Sequence, residues 1–213
     1  MIAPRAVEEY LAHLIGGDRR ACRDDVQRLL DGGATLRELY EQLFQACLYR
    51  VGDRWHSGEL SVAVEHLATL ITEDMLRLVF PRVLEREPNG RRAIVSCAAE
   101  EYHQVGGRIV ADTLEAAGWA VHFLGANTPA DALASMLAAQ PPDLVAISVT
   151  IVDNLPAALR AVRQARAALP KLRIIVGGQA LSDGRAADFL AVPGVQRVSS
   201  LAELDALVAR WEP

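Results

Sequence analysis

Two rules of hydrophobic patterning divide the chain. Up to about residue 87, apolar residues recur at three- and four-residue steps. Leu36, Leu39, Tyr40, Leu43 and Cys47 mark one face of a helix. Thr35 followed by Glu38 has the form of a capping box that starts it. Asp18 is placed to cap an earlier helix, and Gly32-Gly33 to stop it. Ser61 opens another stripe through Leu67, Leu70, Ile71, Met75, Leu78 and Val79 toward Pro81. With an opening helix near Val7 to Ile15, the pattern predicts a four-helix bundle over residues 1–87.

Glu87-Pro88-Asn89-Gly90 breaks the pattern and reads as a linker. Beyond it the period changes. Short runs rich in β-branched residues (Ala93–Ser96, Ala120–Leu124, Leu144–Ser148, Arg173–Val176 and a shorter Gln196–Ser199) alternate with amphipathic stretches near 105–117, 129–139, 155–168, 184–191 and 201–211. Strands alternating with helices imply a parallel sheet covered on both faces. Residues 91–213 are therefore expected to form an α/β domain, a flavodoxin-like (Rossmann-like) doubly wound sheet of five parallel strands. Ligands of such domains bind beyond the carboxyl ends of the strands.

Composition narrows the class. The chain has 213 residues, 51% hydrophobic and 23% charged, which excludes disorder. Its net charge of −5 speaks against direct nucleic-acid binding. Charged residues interrupt every apolar run before it reaches membrane-spanning length, and the N-terminus lacks the apolar core of a signal peptide. Cys22, Cys47 and Cys97 form no CxxC and read as reduced thiols, so a cytoplasmic location is expected. Neither GxGxxG nor GxxxxGK[ST] is present, so the dinucleotide and P-loop readings lack their motifs.

The strand ends carry the candidate chemistry. After the first strand comes Glu100-Glu101-Tyr102-His103-Gln104-Val105-Gly106-Gly107, after the third Ser148-Val149-Thr150, and after the fourth Gly177-Gly178. A histidine in such a loop serves as metal ligand, base or surface residue. An acid two residues earlier favours a ligand, because Glu101 can accept the proton on one ring nitrogen and leave the other for a metal. Gly106 and Gly107 permit close approach to the backbone, though glycines also start helices. His122, inside a strand, reads as a packed core histidine, and Cys97 as core filler. Glu100, Asp143 and His13 suggest no role.

Taken together, Glu101-x-His103-x-x-Gly106, Ser148-x-Thr150 and Gly177-Gly178 resemble the signature of cobalamin-binding domains. The family's histidine is the lower ligand to cobalt, and the nucleotide tail of the cofactor lies beside the Ser/Thr and Gly-Gly turns. The resemblance thus implies His103 as lower axial ligand, supported by Glu101, and a tail slot lined by Gly106, Ser148, Thr150, Gly177 and Gly178. Where the best-known motif has Asp, this chain has Glu101. In the helical half, Trp55-x9-Glu65-His66 resembles the motif of the CarH-like adenosylcobalamin-dependent light-sensing transcriptional regulators, whose Trp and Glu-His pair enclose the adenosyl group. A Trp face can cover an adenine, and Glu65 can accept from ribose hydroxyls. The same resemblance implies His56 as an upper cobalt ligand after light; the plainer reading of His56 is a solvated helix end. Those regulators usually begin with a MerR-type DNA-binding domain, for which residues 1–50 leave no room, so output through a regulatory protein partner is expected. The resemblance leaves open a corrinoid methyl carrier using methylcobalamin, and a heme-binding relative with His103 as axial ligand. A non-enzymatic regulator is favoured over an isomerase, which would need a substrate-binding barrel. An exposed bundle face offers a surface for self-association.

Overall fold

In the computed structural model, residues 1–182 and 184–211 are described. They fall into two compact units, Met1–Glu85 and a second beginning at Arg86.

The first unit consists of helices α1 (Pro4–Ile15), α2 (Arg19–Asp31), α3 (Leu36–Glu38), α4 (Ala46–His56) and α5 (Val62–Val79). A π-helical segment, Leu39–Gln45, joins α3 to α4, so residues 36–56 run as one rod. The expected caps are present: Asp18 accepts from Ala21 N, Thr35 and Glu38 form a reciprocal box, and Ser61 accepts from Val64 N. The π segment follows from spacing. Leu39, Leu43, Cys47 and Val51 repeat every four residues and are all buried, a step longer than the 3.6-residue turn; local widening keeps them on one face. Tyr10, Leu14, Val26, Phe44, Ile71 and Val79 complete the core. On α5 the buried face runs through Ala68, Ile71, Thr72, Met75, Leu76 and Val79. Leu67 and Leu70 lie outside it and are exposed, because the helical period allows only one line of their stripe to face inward. Asp25 is a buried carboxylate. His13 Nδ1 lies 2.7 Å from it and Arg28 pairs with it, so α1 and α2 are tied through a compensated charge.

The second unit is a five-stranded parallel sheet in the order β2-β1-β3-β4-β5. Its strands are β1 (Arg92–Cys97), β2 (Ala120–Phe123), β3 (Leu144–Ser148), β4 (Arg173–Gly177) and β5 (Val195–Arg197). The intervening helices are α6 (Val105–Ala116), α7 (Ala130–Ala139), α8 (Leu155–Ala168) and α9 (Ala187–Leu190), followed by α10 (Leu201–Ala209). Right-handed crossovers place α6 on one face, and α7, α8 and α9 on the other. Strands β1, β3 and β4 are buried through their apolar runs and bury Val145, Ile147, Ile174 and Val176 against Leu133, Leu137, Ala158 and Val162. This is the expected flavodoxin-like fold. The helix expected over 184–191 is shorter, and Pro213, the expected end of the domain, lies outside the described residues.

One expectation is corrected. His122 is exposed, not packed in the core. Its strand is the sheet edge, and alternation turns Phe123 toward α6, where a Cβ on Gly107 would stand 3.2 Å from the Phe123 ring; His122 faces the other way. Asp143, which suggested no role, accepts from Arg92 N at 2.9 Å.

Candidate functional site

The three motifs meet at one level of the sheet. Cys97 pairs in register with Ser148, and Ser148 with Gly177. Beyond these residues the chain from β1 turns to α6 and the chain from β3 turns to α8, on opposite faces. This is the switch point of the 2-1-3-4-5 order, where the two loops part and leave a crevice.

Glu101 holds that crevice together. It is fully buried. Its Oε1 accepts from the His103 backbone N–H at 3.0 Å and lies 2.6 Å from His103 Nδ1. Its Oε2 accepts from Thr150 N at 2.8 Å, Ile151 N at 2.9 Å and Asn154 Nδ2 at 3.2 Å. One carboxylate thus bridges the loop after β1 and the loop after β3. Burial by itself pushes the Glu101 carboxyl up, but the hydrogen bonds from His103, Ile151 and Thr150 outweigh it and bring it down to about 2. The group is an anion throughout the neutral range. It therefore holds a proton of His103 on Nδ1, and in the neutral ring this leaves the lone pair on Nε2. His103 is 39% exposed in its side chain, while the acid behind it is shielded from water.

The glycines differ in what they leave open. A Cβ on Gly106 would meet only Ser148 Oγ, at 3.9 Å, so the first turn of α6 leaves room beside the end of β3. At Gly107 there is little room: a Cβ there would lie 3.2 Å from Cys97 Sγ. Gly178 has φ of +118°, and a Cβ there would lie 2.0 Å from Val149 O; a Cβ on Gly177 would lie 3.1 Å from Val198 O. The glycine requirement at 178 thus comes from the turn's own approach to the chain after β3. Thr150 donates its backbone N–H to Glu101, and Ser148 is nearly buried. Burial pushes the Cys97 thiol up to about 12, which suits core filler and not a thiolate ligand.

In the helical unit, Trp55 and His56 end α4, and Glu65 and His66 stand in the first turns of α5, flanking one short turn. Trp55 is 38% exposed and packs edge-on against the His56 ring, with centroids 6.2 Å apart. Glu65 is mostly shielded, with Oε2 2.7 Å from His66 Nδ1 and Oε1 accepting from Thr69 at 3.2 Å. Part of the Trp55 ring is thus left in water at the end of α4.

Sequence reasoning missed Asn127 and Asn154. Asn154 is buried and donates to Glu100 O and Glu101 Oε2. Asn127, in the loop after β2, accepts from Glu100 N. Neither belongs to a spacing motif. Only a left-handed backbone preference at Asn127 was open to inspection.

A doubly wound sheet with a histidine-bearing loop at its switch point, joined to a helical bundle, defines a ligand-binding module of the corrinoid-protein type. The chain belongs to the B12-binding domain family: residues 91–198 match the B12 binding domain, and residues 6–79 match a second B12 binding domain family. It is 33% identical over 191 residues to the HTH-type transcriptional repressor CarA of Myxococcus xanthus, covering 88% of this chain and 62% of CarA. It is 32% identical over 176 residues to the HTH-type transcriptional repressor CarH of the same organism, covering 81% of this chain and 57% of CarH. The chain thus spans less than two thirds of the length of these relatives. Among solved structures it resembles the Methanosarcina barkeri monomethylamine corrinoid protein, with a TM-score of 0.84 at 13% identity over 99% of this chain and 100% of that one. It also resembles a cobalamin-binding protein from Desulfitobacterium hafniense DCB-2, with a TM-score of 0.51 at 19% identity over 97% and 98% of the two chains. Cobalamin binding is thereby supported on family grounds. Among the described residues, no helix is long and apolar enough to cross a membrane.

Proposed function

We propose that the chain is a cobalamin-dependent regulatory module that responds to light through adenosylcobalamin and passes the signal to a protein partner in gene regulation. The observation that carries this reading is the Trp55, Glu65 and His66 group around one turn of the bundle, in a chain whose relatives CarA and CarH are transcriptional repressors. The residues of the sheet unit fit the cofactor: Glu101 fixes the ring of His103, and Gly106 leaves room beside Ser148.

His103 would hold cobalt through Nε2, with Gly106, Ser148, Thr150, Gly177 and Gly178 beside the nucleotide tail. The cofactor supplies a weak cobalt–carbon bond that light breaks. Glu101 orients the His103 ring and holds a proton on its Nδ1. Trp55 offers a flat apolar face to an adenine, Glu65 accepts from ribose hydroxyls, and His66 is fixed by Glu65. His56, exposed at the end of α4, is the candidate second imidazole for cobalt after light.

The test is absorption of the chain loaded with adenosylcobalamin or methylcobalamin, in darkness and after green light, in wild type and His56→Ala. A light-driven change with adenosylcobalamin, retained in the protein as a bis-histidine spectrum and lost in His56→Ala, is expected. A light-stable spectrum defeats the photosensor reading. Methyl transfer from bound methylcobalamin to a thiol acceptor in the presence of a partner enzyme would instead support the methyl-carrier alternative.

A further inference from the structure

Glu100 and Asn127 are the two non-glycine residues with positive φ among the described residues, at +67° and +49°. They stand on different loops, after β1 and after β2, and they bond to each other. Glu100 N donates to Asn127 Oδ1 at 2.8 Å, and Asn127 N donates to Glu101 O at 2.9 Å. Glu100 O accepts from Asn154 Nδ2 at 3.2 Å, and Glu101 N donates to Ala98 O at 3.1 Å. Every backbone polar group of residues 100 and 101 is therefore matched, and the left-handed Glu100 and Asn127 are held by two hydrogen bonds that join Asn127 to the Glu100–Glu101 turn.

The consequence falls on His103. The left-handed turn at Glu100 is what sends the Glu101 side chain inward to its five donors, and His103 follows two residues later. A loop free to leave that turn would lose both the acid behind the ring and the ring's direction. Asn127 touches neither Glu101's carboxylate nor His103 in these contacts; it acts on them through the backbone of residues 100 and 101, with a longer bond of 3.4 Å from its Nδ2 to Tyr102 Oη.

We propose that Asn127 is a positioning residue that holds the His103 loop in its ligand-presenting conformation before the cofactor arrives. This rests on the reading of His103 as the lower cobalt ligand. Asn suits the position twice over, since it tolerates left-handed backbone and its side chain supplies the acceptor. Removing the acceptor lowers the population of the presenting loop, and apparent affinity falls in proportion. For one hydrogen bond of ordinary strength the fall is about three- to tenfold.

The experiment uses the full chain labelled with 15N-histidine, loaded with cob(II)alamin, in four forms: wild type, Asn127→Gly, Asn127→Asp and His103→Ala. Gly keeps the backbone but lacks the acceptor; Asp keeps both and gives up only the 3.4 Å bond that Asn127 Nδ2 donates to Tyr102 Oη. Affinity comes from titration, and histidine ligation from the 15N doublet splitting of the cobalt resonance at saturating cofactor, which the cofactor's own 14N benzimidazole, giving a triplet, cannot produce. We expect Asn127→Gly to bind about three- to tenfold more weakly and to show a reduced histidine-ligated fraction, with Asn127→Asp within twofold of wild type. A loss of overall stability alone would not change ligation at saturation. An Asn127→Gly protein that matches wild type in both readouts, or an Asn127→Asp protein as impaired as Asn127→Gly, overturns the proposal while His103→Ala still abolishes the splitting. A splitting that survives in His103→Ala overturns the ligand reading beneath it.

Discussion

Replacing Glu101 tests the organisation of the site without any cofactor. The wild-type carboxylate accepts from five donors on two loops, at 2.6 to 3.2 Å, while fully buried. Gln keeps the size but has one accepting oxygen. If that oxygen turns to Thr150, Ile151 and Asn154, an amide NH2 faces the His103 backbone N–H; if it turns the other way, it faces two backbone N–H groups and the Asn154 amide. Either choice opposes donors in a buried place. The lowering of Glu101 from 4.5 to about 2 corresponds to about 3 kcal/mol of preferential stabilisation of the anion. Leaving buried donors unmatched independently gives a loss of about 2 to 4 kcal/mol. Glu101→Gln in the cofactor-free chain should thus lose about 3 kcal/mol in urea unfolding, or roughly 10 °C in the midpoint of the sheet unit. Glu101→Asp, one methylene shorter, cannot keep both loops and should lose about half as much. Because the folded pKa is depressed, the stabilisation is complete above about 4.5 and declines as pH falls toward about 2, so the gap between wild type and Glu101→Gln should narrow over that interval. A Glu101→Gln chain within 1 kcal/mol of wild type at neutral pH would refute the idea that this carboxylate joins the two loops.

Other outcomes follow from the same geometry. Gly178→Ala should unfold the sheet unit at markedly lower denaturant, because its Cβ would lie 2.0 Å from Val149 O, whereas Gly106→Ala should leave the unfolding midpoint nearly unchanged and weaken cobalamin binding in a titration. If Gly106→Ala binds with wild-type affinity, the space beside Ser148 is not part of the slot. Trp55→Ala should lower affinity for adenosylcobalamin more than for methylcobalamin in a titration; equal losses for both would remove its adenosyl role.

Much of the architecture was legible in residue order. The change of period near residue 87 separates helices from alternating strands, and the caps at Asp18, Thr35 and Ser61 follow from side chains bonding to backbone one turn away. The pairing of Glu101 with the His103 ring was legible too, because the two are two residues apart and their contact is local. Local interactions leave local patterns.

What the pattern did not contain is non-local. That β2 is an edge, and so leaves His122 in water, depends on strand order. That Leu67 and Leu70 stay outside while Leu76 is buried depends on which line of α5 meets the other helices. That Glu101 reaches Thr150, Ile151 and Asn154, about fifty positions away, follows from β1 and β3 lying side by side. Asn127 entered the site only because β2 flanks β1 on the other side. The sequence by itself determined which residues could carry the chemistry. The tertiary structure decided which loops would hold them, because a buried carboxylate takes its donors from whatever the strand order brings within hydrogen-bond reach.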